Sequence, residues 1–453
     1  MNNDKKVASK VQDPSKRVNN FDEVELGYTS KEAKEEALRC LQCKVPRCMS
    51  GCPVNIRIPE FIHAIRENDL KKAYEIISES SSLPAVCGRV CPQEKQCESM
   101  CVRGIKGEAI SIGALERYVA DYAIENKVIS QTKIKKKNKK VAIVGSGPSG
   151  LTCAGDLAKN GYDVTIYEVL HKAGGVLTYG IPEFRLPKRI VDKEVESLKS
   201  LGVNILTDVP VGNAITLEEL QKEYDAVFVV TGAGLPKFMG IEGEDANEVF
   251  SANEILTRIN LMGSYRKDAK TPIKKVKKAY VIGGGNVAMD AVRSIKRLGM
   301  EAHLMYRRGM DELPARKMEV THALEEGVIF DTLVNPKRIL KDENNSVIGM
   351  EVVNMELIDS KDGGRKEVQE IKGSEHTVDC EMIVMALGTS PNHEGLKHSK
   401  IKLTDKGLIF VEGTKTSLKN VYAGGDAVTG SATVILAMEA GKKAAKEIME
   451  SLE

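Results

Sequence analysis

Apolar residues follow two different rhythms along the chain. In the first quarter they recur at helical spacing: Thr29-Ser30-Lys31-Glu32 resembles a capping box ahead of Ala33, Ala37 and Leu38, and Ile112 to Ala123 has the pattern of a second helix. The residues up to Tyr28 are polar and predict an arm. From residue 141 onward, short apolar runs such as Val141–Val144, Ala226–Val230 and Met382–Leu387 each end in or beside a glycine turn. Runs of this length predict buried strands of parallel sheets. Between the two regimes lies the basic stretch Lys133–Lys140, which predicts a solvated linker.

Two of these strands open an internal repeat. Val141–Glu168 superposes on the segment that begins with Tyr280 and ends with Arg308: Gly145 falls on Gly283, Gly147 on Gly285, Gly150 on Ala288 and Gly161 on Gly299. Each copy reads as strand, glycine turn, amphipathic helix, glycine stop and second strand. The first glycine makes the turn, the second admits a pyrophosphate, and the third packs helix against strand. Pro148, Ser149, Asn286 and Val287 then open the helices, whose amides face the phosphates. The first copy ends in Glu168, a carboxylate suited to the unphosphorylated ribose of FAD. The second ends in Tyr306, Arg307 and Arg308, whose guanidinium forks suit a 2′-phosphate, so NADP(H) is expected there.

Near the C-terminus a strand runs into Gly424, Gly425 and Asp426, and a helix starts near Thr433. The carboxylate is placed for the ribityl or phosphate region of a flavin, and the helix start for the flavin ring. The two fingerprints and the late Gly-Gly-Asp resemble the flavoprotein disulfide-reductase-like superfamily. No C-x4-C pair follows the first fingerprint, so thiol-disulfide exchange is not expected.

Composition narrows the class further. The 453 residues are 42% hydrophobic with a net charge of +2, which suits a soluble multi-domain protein and excludes a general nucleic-acid or membrane-surface binder. The opening MNNDKKVASK has no apolar core, and no apolar run nears the roughly 18 residues of a membrane span, so a cytoplasmic protein is expected. Eight of the ten cysteines lie between Cys40 and Cys101, leaving Cys153 and Cys380 as small buried residues. The eight read Cys40-x2-Cys43-x4-Cys48-x3-Cys52-Pro and Cys87-x3-Cys91-Pro-x4-Cys97-x3-Cys101. These runs resemble bacterial ferredoxin ligation and favour two [4Fe-4S] clusters over structural zinc, with His63 outside the ligand set.

These cysteines, together with Gly174–Lys188 (GGVLTYGIPEFRLPK), Met305–Arg316 and Met385–Asn392, resemble the small (beta) subunit family of NADPH-dependent glutamate synthase. That group includes the electron-transfer half of dihydropyrimidine dehydrogenase and the larger subunit of NADH-dependent ferredoxin:NADP oxidoreductase. The resemblance covers nearly the whole chain from about Glu25. It implies crossed ligation, with Cys40, Cys43, Cys48 and Cys101 on one cluster and Cys52, Cys91 and Cys97 on the other. Glu116 is the implied fourth ligand of the second cluster, with Cys87 as its competitor. Gly175 joins the flavin-binding residues on the same ground.

The expected fold class is α/β, with two Rossmann-like dinucleotide-binding domains behind a mainly helical iron-sulfur domain. Expected boundaries are 1–135 for the cluster domain, 136–270 and 385–453 for the two FAD segments, and 271–384 for an inserted NADP(H) domain. The expected function is an NADPH-dependent oxidoreductase passing electrons through FAD and two clusters to a partner synthase subunit. An alternative is the NADP(H)-binding subunit of an electron-bifurcating ferredoxin:NADP oxidoreductase, working with a ferredoxin/NAD flavoprotein. A redox-sensing scaffold is the alternative of another class. No catalytic acid or base is expected, and Asp290, Glu312 and His322 are read as structural. Met1 is followed by Asn2 and no eight-fold βα repeat occurs, so the chain alone is not expected to make glutamate from glutamine. Self-association is compatible with this reading.

Overall fold

The computed structural model describes residues 4–128, 134–360, 364, 366–392 and 394–453. The first three residues and Lys133, where the basic linker begins, lie outside the described residues. The helical region starts as the capping box predicts: the Thr29 hydroxyl accepts from Glu32 N at 3.4 Å, and the Glu32 carboxylate accepts from Thr29 N at 2.8 Å. This fixes the start of α1 (Ser30–Leu38). Helices α2 (Ile58–Arg66) and α3 (Leu70–Ser80) form a hairpin, and α4 (Pro84–Val90) lies against α5 (Ile112–Glu125). Gly88 makes the last contact close, since a Cβ there would fall 2.6 Å from Arg117 N. Phe61, Ile62, Ile77, Leu83, Leu115 and Val119 fill the core, which runs without a break into the next domain.

The first repeat copy folds as β1 (Lys140–Val144), α6 (Pro148–Lys159) and β2 (Asp163–Tyr167), followed by β3 (Asn204–Leu206) and β4 (Ala226–Val229). The chain then enters a second unit: β5 (Val249–Ser251), α7 (Ala252–Asn260), β6 (Lys278–Ile282), α8 (Asn286–Arg297), β7 (Glu301–Tyr306), α9 (Lys317–Glu325) and β8 (Ile329–Thr332). An antiparallel group follows, β9 (Val334–Lys341), β10 (Val347–Ile358), β11 (Glu367–Glu370) and β12 (His376–Asp379), before β13 (Met382–Met385) closes the unit. Finally β14 (Val421–Ala423) and α10 (Val434–Leu452) return to the first sheet. The two sheets are each five-stranded and parallel, in the orders β14-β4-β1-β2-β3 and β8-β7-β6-β13-β5.

The second sheet takes in β5 from Val249, and its strand β13 ends at Met385. A three-residue edge strand carries too few apolar positions to show as a run. Helix α7 belongs with it, because Ala252, Ile255 and Ile259 pack in the second core.

A buried seam of charge joins the parts. Phe184, from the loop after β2, lies under the guanidinium groups of Arg293 and Arg297 on α8, 4.8 and 3.9 Å from its ring centre. Beside it Arg185 binds Asp290 at 2.7 Å and Glu319 at 2.9 Å. Glu326 takes Arg293 and Arg297 at 2.7 and 2.6 Å, and Arg17 of the N-terminal arm at 2.8 Å. The arm adds a ring contact, Phe21 stacked 4.2 Å from Tyr265. Among the described residues no helix is long and apolar enough to cross a membrane.

Candidate redox site

Both glycine turns have the backbone that a dinucleotide requires. Gly145 and Gly283 sit at φ +111° and +141°, conformations that L side chains rarely adopt. A Cβ on Gly147 or Gly285 would meet nothing within 4 Å, so each second glycine faces open space where a pyrophosphate can approach. The third position does the opposite: a Cβ on Gly150 would lie 2.1 Å from Gly145 O, and Ala288 fills the matching place, fully buried. Pro148 and Ser149 open α6, and the buried Ser149 hydroxyl has no hydrogen-bond partner. Asn286 and Val287 open α8, where the Asn286 side chain accepts from Arg316 N at 2.9 Å and Val287 is exposed.

Around the first turn the structure gathers residues from distant stretches. Glu168 is buried at the end of β2, accepting from Ser146 N and Leu170 N at 2.9 Å each. Gly175 is seated on the turn itself, since a Cβ there would lie 2.8 Å from Gly147 Cα. Gly425 brings Asp426 beside α6, within 3.3 Å of Ser149 Cβ for an added Cβ. Burial pushes the Asp426 carboxyl up to about 6, against one hydrogen bond from Ala432 N. Thr433 caps α10, its hydroxyl accepting from Leu436 N. Tyr179, inside the Gly174–Lys188 stretch but not singled out there, belongs here too: burial pushes its phenol up to about 12, and the charges of Asp426 and Glu168 add to the shift.

At the second turn the three residues after β7 part company. Tyr306 packs its ring over Gly284 and donates to Glu312 O at 3.1 Å. Arg308 donates to Lys366 O at 2.7 Å. Arg307 is exposed and has no hydrogen bond or ion pair among the described residues, which leaves its guanidinium available to an anion.

The eight clustered cysteines separate into two groups. Cys40, Cys43, Cys48 and Cys101 line one pocket, walled by Ile58, Ile62, Ile110 and Ile112. Cys52, Cys87, Cys91 and Cys97 lie deeper, around Glu116. Burial pushes the Cys52 thiol up to about 11 and raises Cys97, and the Glu116 charge adds to both. Glu116 itself is 6% exposed, its Oε1 has no hydrogen-bond partner, and burial with help from Glu194 pushes it up to about 8. A buried oxygen facing four thiols, with no cation beside it, fits iron ligation; an ordinary structural acid would have a partner. Cys87 is turned toward α10, 3.4 Å from Met438 Sδ, and lies 3.9 Å from Ser81 Oγ. Among the described residues no three His, Cys, Asp or Glu side chains converge as one metal ion would require. Cluster ligands each hold a different iron, so they need no such convergence.

The remaining residues have structural surroundings. His63 is on the solvent face of α2, and Cys153 and Cys380 are buried. Asp290 is held by Arg185, and His322 lies 3.7 Å from Glu25.

Two family models match the chain in this same order: dihydropyrimidine dehydrogenase domain II, 4Fe-4S cluster, over residues 17–128, and pyridine nucleotide-disulphide oxidoreductase over residues 139–441. The glutamate synthase [NADPH] small chain of Escherichia coli is 36% identical over 444 residues, 96% of this chain and 94% of that one. The chain belongs to the glutamate synthase small-chain family. It is an iron-sulfur oxidoreductase with a two-domain dinucleotide-binding core. The NADPH-Fe(3+) oxidoreductase subunit beta of Geobacter sulfurreducens is 38% identical over 90% of this chain, which spans 63% of that subunit. Among solved structures, Mycobacterium tuberculosis FprA in complex with NADPH shares the fold, with a TM-score of 0.60 and 18% identity over 69% of this chain and 84% of that one.

Proposed function

We propose that this small-chain family member oxidises NADPH and delivers single electrons to a partner synthase subunit through FAD and two [4Fe-4S] clusters. Bound flavin, nicotinamide and clusters supply the hydride and one-electron chemistry; the chain's own residues bind and orient them. The turn at Gly145, Gly147 and Gly150, with Gly175, Glu168, Gly425, Asp426 and Thr433, holds FAD. The turn at Gly283, Gly285 and Ala288 holds the nicotinamide dinucleotide, with Arg307 on its 2′-phosphate and Arg308 beside it. Cys40, Cys43, Cys48 and Cys101 hold one cluster, and Cys52, Cys91, Cys97 and Glu116 the other.

The observation that carries this reading is the contact between Cys87 and Met438. It abuts the flavin-facing helix α10 against the buried cysteine group at 3.4 Å. The deep group is therefore the near station for an electron leaving the flavin, and the half-exposed group the far one. Near-complete coverage of a glutamate synthase small chain favours a synthase subunit as the partner. The assignments are tested by anaerobic purification, iron and flavin quantification, and titration with NADPH. Bleaching of flavin and cluster absorbance by NADPH is expected, with about four irons remaining of about eight when Glu116 is replaced by Ala. Failure of NADPH to bleach the flavin would overturn the reading. Arg307→Ala should weaken NADPH binding about tenfold and leave NADH binding unchanged.

A further inference from the structure

The segment Leu313–Arg316, just before α9, touches two sites at once. On one side it lies on the second glycine turn: Ala315 N donates to Gly284 O at 3.3 Å, and Arg316 N donates to Asn286 Oδ1 at 2.9 Å. A backbone N–H can only donate, so the carboxamide oxygen of Asn286 is the atom turned toward it. The amide nitrogen of Asn286 has no hydrogen-bond partner among the described residues. It is left to donate at the start of α8, where a pyrophosphate would arrive.

On the other side is the loop between Cys91 and Cys97, more than two hundred positions earlier in the chain. The Arg316 side chain is buried and donates to Gln93 Oε1 at 3.1 Å, to Glu94 Oε1 at 3.3 Å and to Arg89 O at 3.4 Å. Lys95 Nζ donates in return to Pro314 O at 3.1 Å. Gln93 is itself committed, its amide nitrogen donating to Cys87 O at 3.2 Å and Gly88 O at 3.4 Å. That amide rests on α5 at Gly113, where a Cβ would fall 2.3 Å from Gln93 Nε2, one turn before Glu116. Two buried side chains thus span the distance from the second turn to the deep cysteine group. The end at Asn286 is open, and the end at the cysteines is fixed.

We infer that Arg316 is a positioning residue that joins the second dinucleotide turn to the deep cysteine group, so that a phosphate bound by Asn286 is felt at the Cys91–Cys97 loop through Arg316 and Gln93. The inference rests on the cofactor assignments proposed above and adds a connection between two of them that does not pass through the flavin site. A phosphate accepting from Asn286 polarises the carboxamide and strengthens its bond from Arg316 N. The segment is drawn toward the turn, and the hold of the guanidinium on Gln93 changes with it. Iron-sulfur centres respond to the hydrogen bonds and charge around their ligands, so the change has a spectroscopic readout.

The probe is 2′-phospho-ADP-ribose, which has the phosphates of NADP(H) but no nicotinamide and exchanges no electrons. It is added to holoprotein reduced anaerobically by illuminated deazaflavin, and the clusters are followed by electron paramagnetic resonance while calorimetry measures binding. In the wild type the ligand should shift the g values of one cluster signal, the one that Glu116→Ala removes. Arg316→Met and Gln93→Leu should each bind the ligand within about twofold of the wild type and lose the shift. If Arg316→Met fails to load iron, Gln93→Leu carries the same comparison, because it leaves the guanidinium its other two acceptors. Binding without any spectral change, a shift that persists in the variants, or a shift confined to the signal that survives Glu116→Ala would overturn the inference alone. Absence of binding would overturn the dinucleotide assignment and the inference with it.

Discussion

Two of the places where this molecule buries carboxylates are treated in opposite ways. In the seam between the dinucleotide domains, Glu319 and Glu326 are met by arginines from α8, from the loop after β2 and from the N-terminal arm. Against the cost of burial, Arg185 and Arg293 hold Glu319 down to about 2, and hydrogen bonds from Arg293 and Arg297 hold Glu326 well below the carboxylate range. At the deep cysteine group, Glu116 has no cation, and burial pushes it up instead. The seam is electrically complete within the protein. At the cysteine group nothing among the described residues plays that part for Glu116, whose carboxyl is held toward its neutral form.

Removing a seam carboxylate should do the most damage. Glu326→Ala leaves the buried Arg297 without its carboxylate and takes one of two from Arg17 and Arg293, and a loss of about 3–5 kcal/mol in urea unfolding is expected. A loss below about 1 kcal/mol would show that the seam is solvated. Acid should act on the same seam with a smaller effect for each group. Glu319 and Glu326 have folded values below their unfolded ones, so their stabilisation is full above about pH 4.5 and is lost as pH falls toward 2. His322 has the same sign: burial and Arg293 lower it to about 4 from its ordinary 6.5, so its share fades between those values. Thermal unfolding followed from pH 7 to 3 should show a falling midpoint that steepens below pH 4.5. The smallest effect belongs to the other region. In cluster-free protein, Glu116→Gln should change stability by less than about 1 kcal/mol, because it removes an unpaired acid rather than a partner. A large loss there would mean that the carboxylate has a protein partner in solution and would remove the contrast.

The same contrast explains what could be read from the amino acids alone. Glycine turns announce themselves because Gly145 and Gly283 meet a backbone demand that few residues satisfy, and eight cysteines crowded into about sixty positions have few other uses. The seam left no such mark. Arg293 and Arg297 look like the solvated side of an amphipathic helix until Phe184, more than a hundred positions earlier, arrives beneath them and Glu326 pairs with both. Charge patterns in one dimension do not say which face another domain will cover. Glu116 was suggested by family likeness alone, since a helical acid is ordinary; its burial and unmatched oxygen appear only in three dimensions. Strand β5 and the antiparallel group β9–β12 were missed for a simpler reason: the first is three residues long, and the second mixes polar and apolar positions on a half-exposed surface.

The strand order of the first sheet also has a consequence for how the molecule is made. Strand β14 pairs with β4, yet nearly two hundred positions separate them along the chain, and the whole second sheet is translated in between. On the ribosome, the helical region and the insert can therefore assume their shapes while the first sheet still lacks an edge. Asp426 and the capped start of α10 follow the whole insert along the chain, so the proposed flavin cradle can close only after the second sheet has been made. A chain interrupted within the insert would therefore carry the clustered cysteines without the helix whose Met438 packs against Cys87.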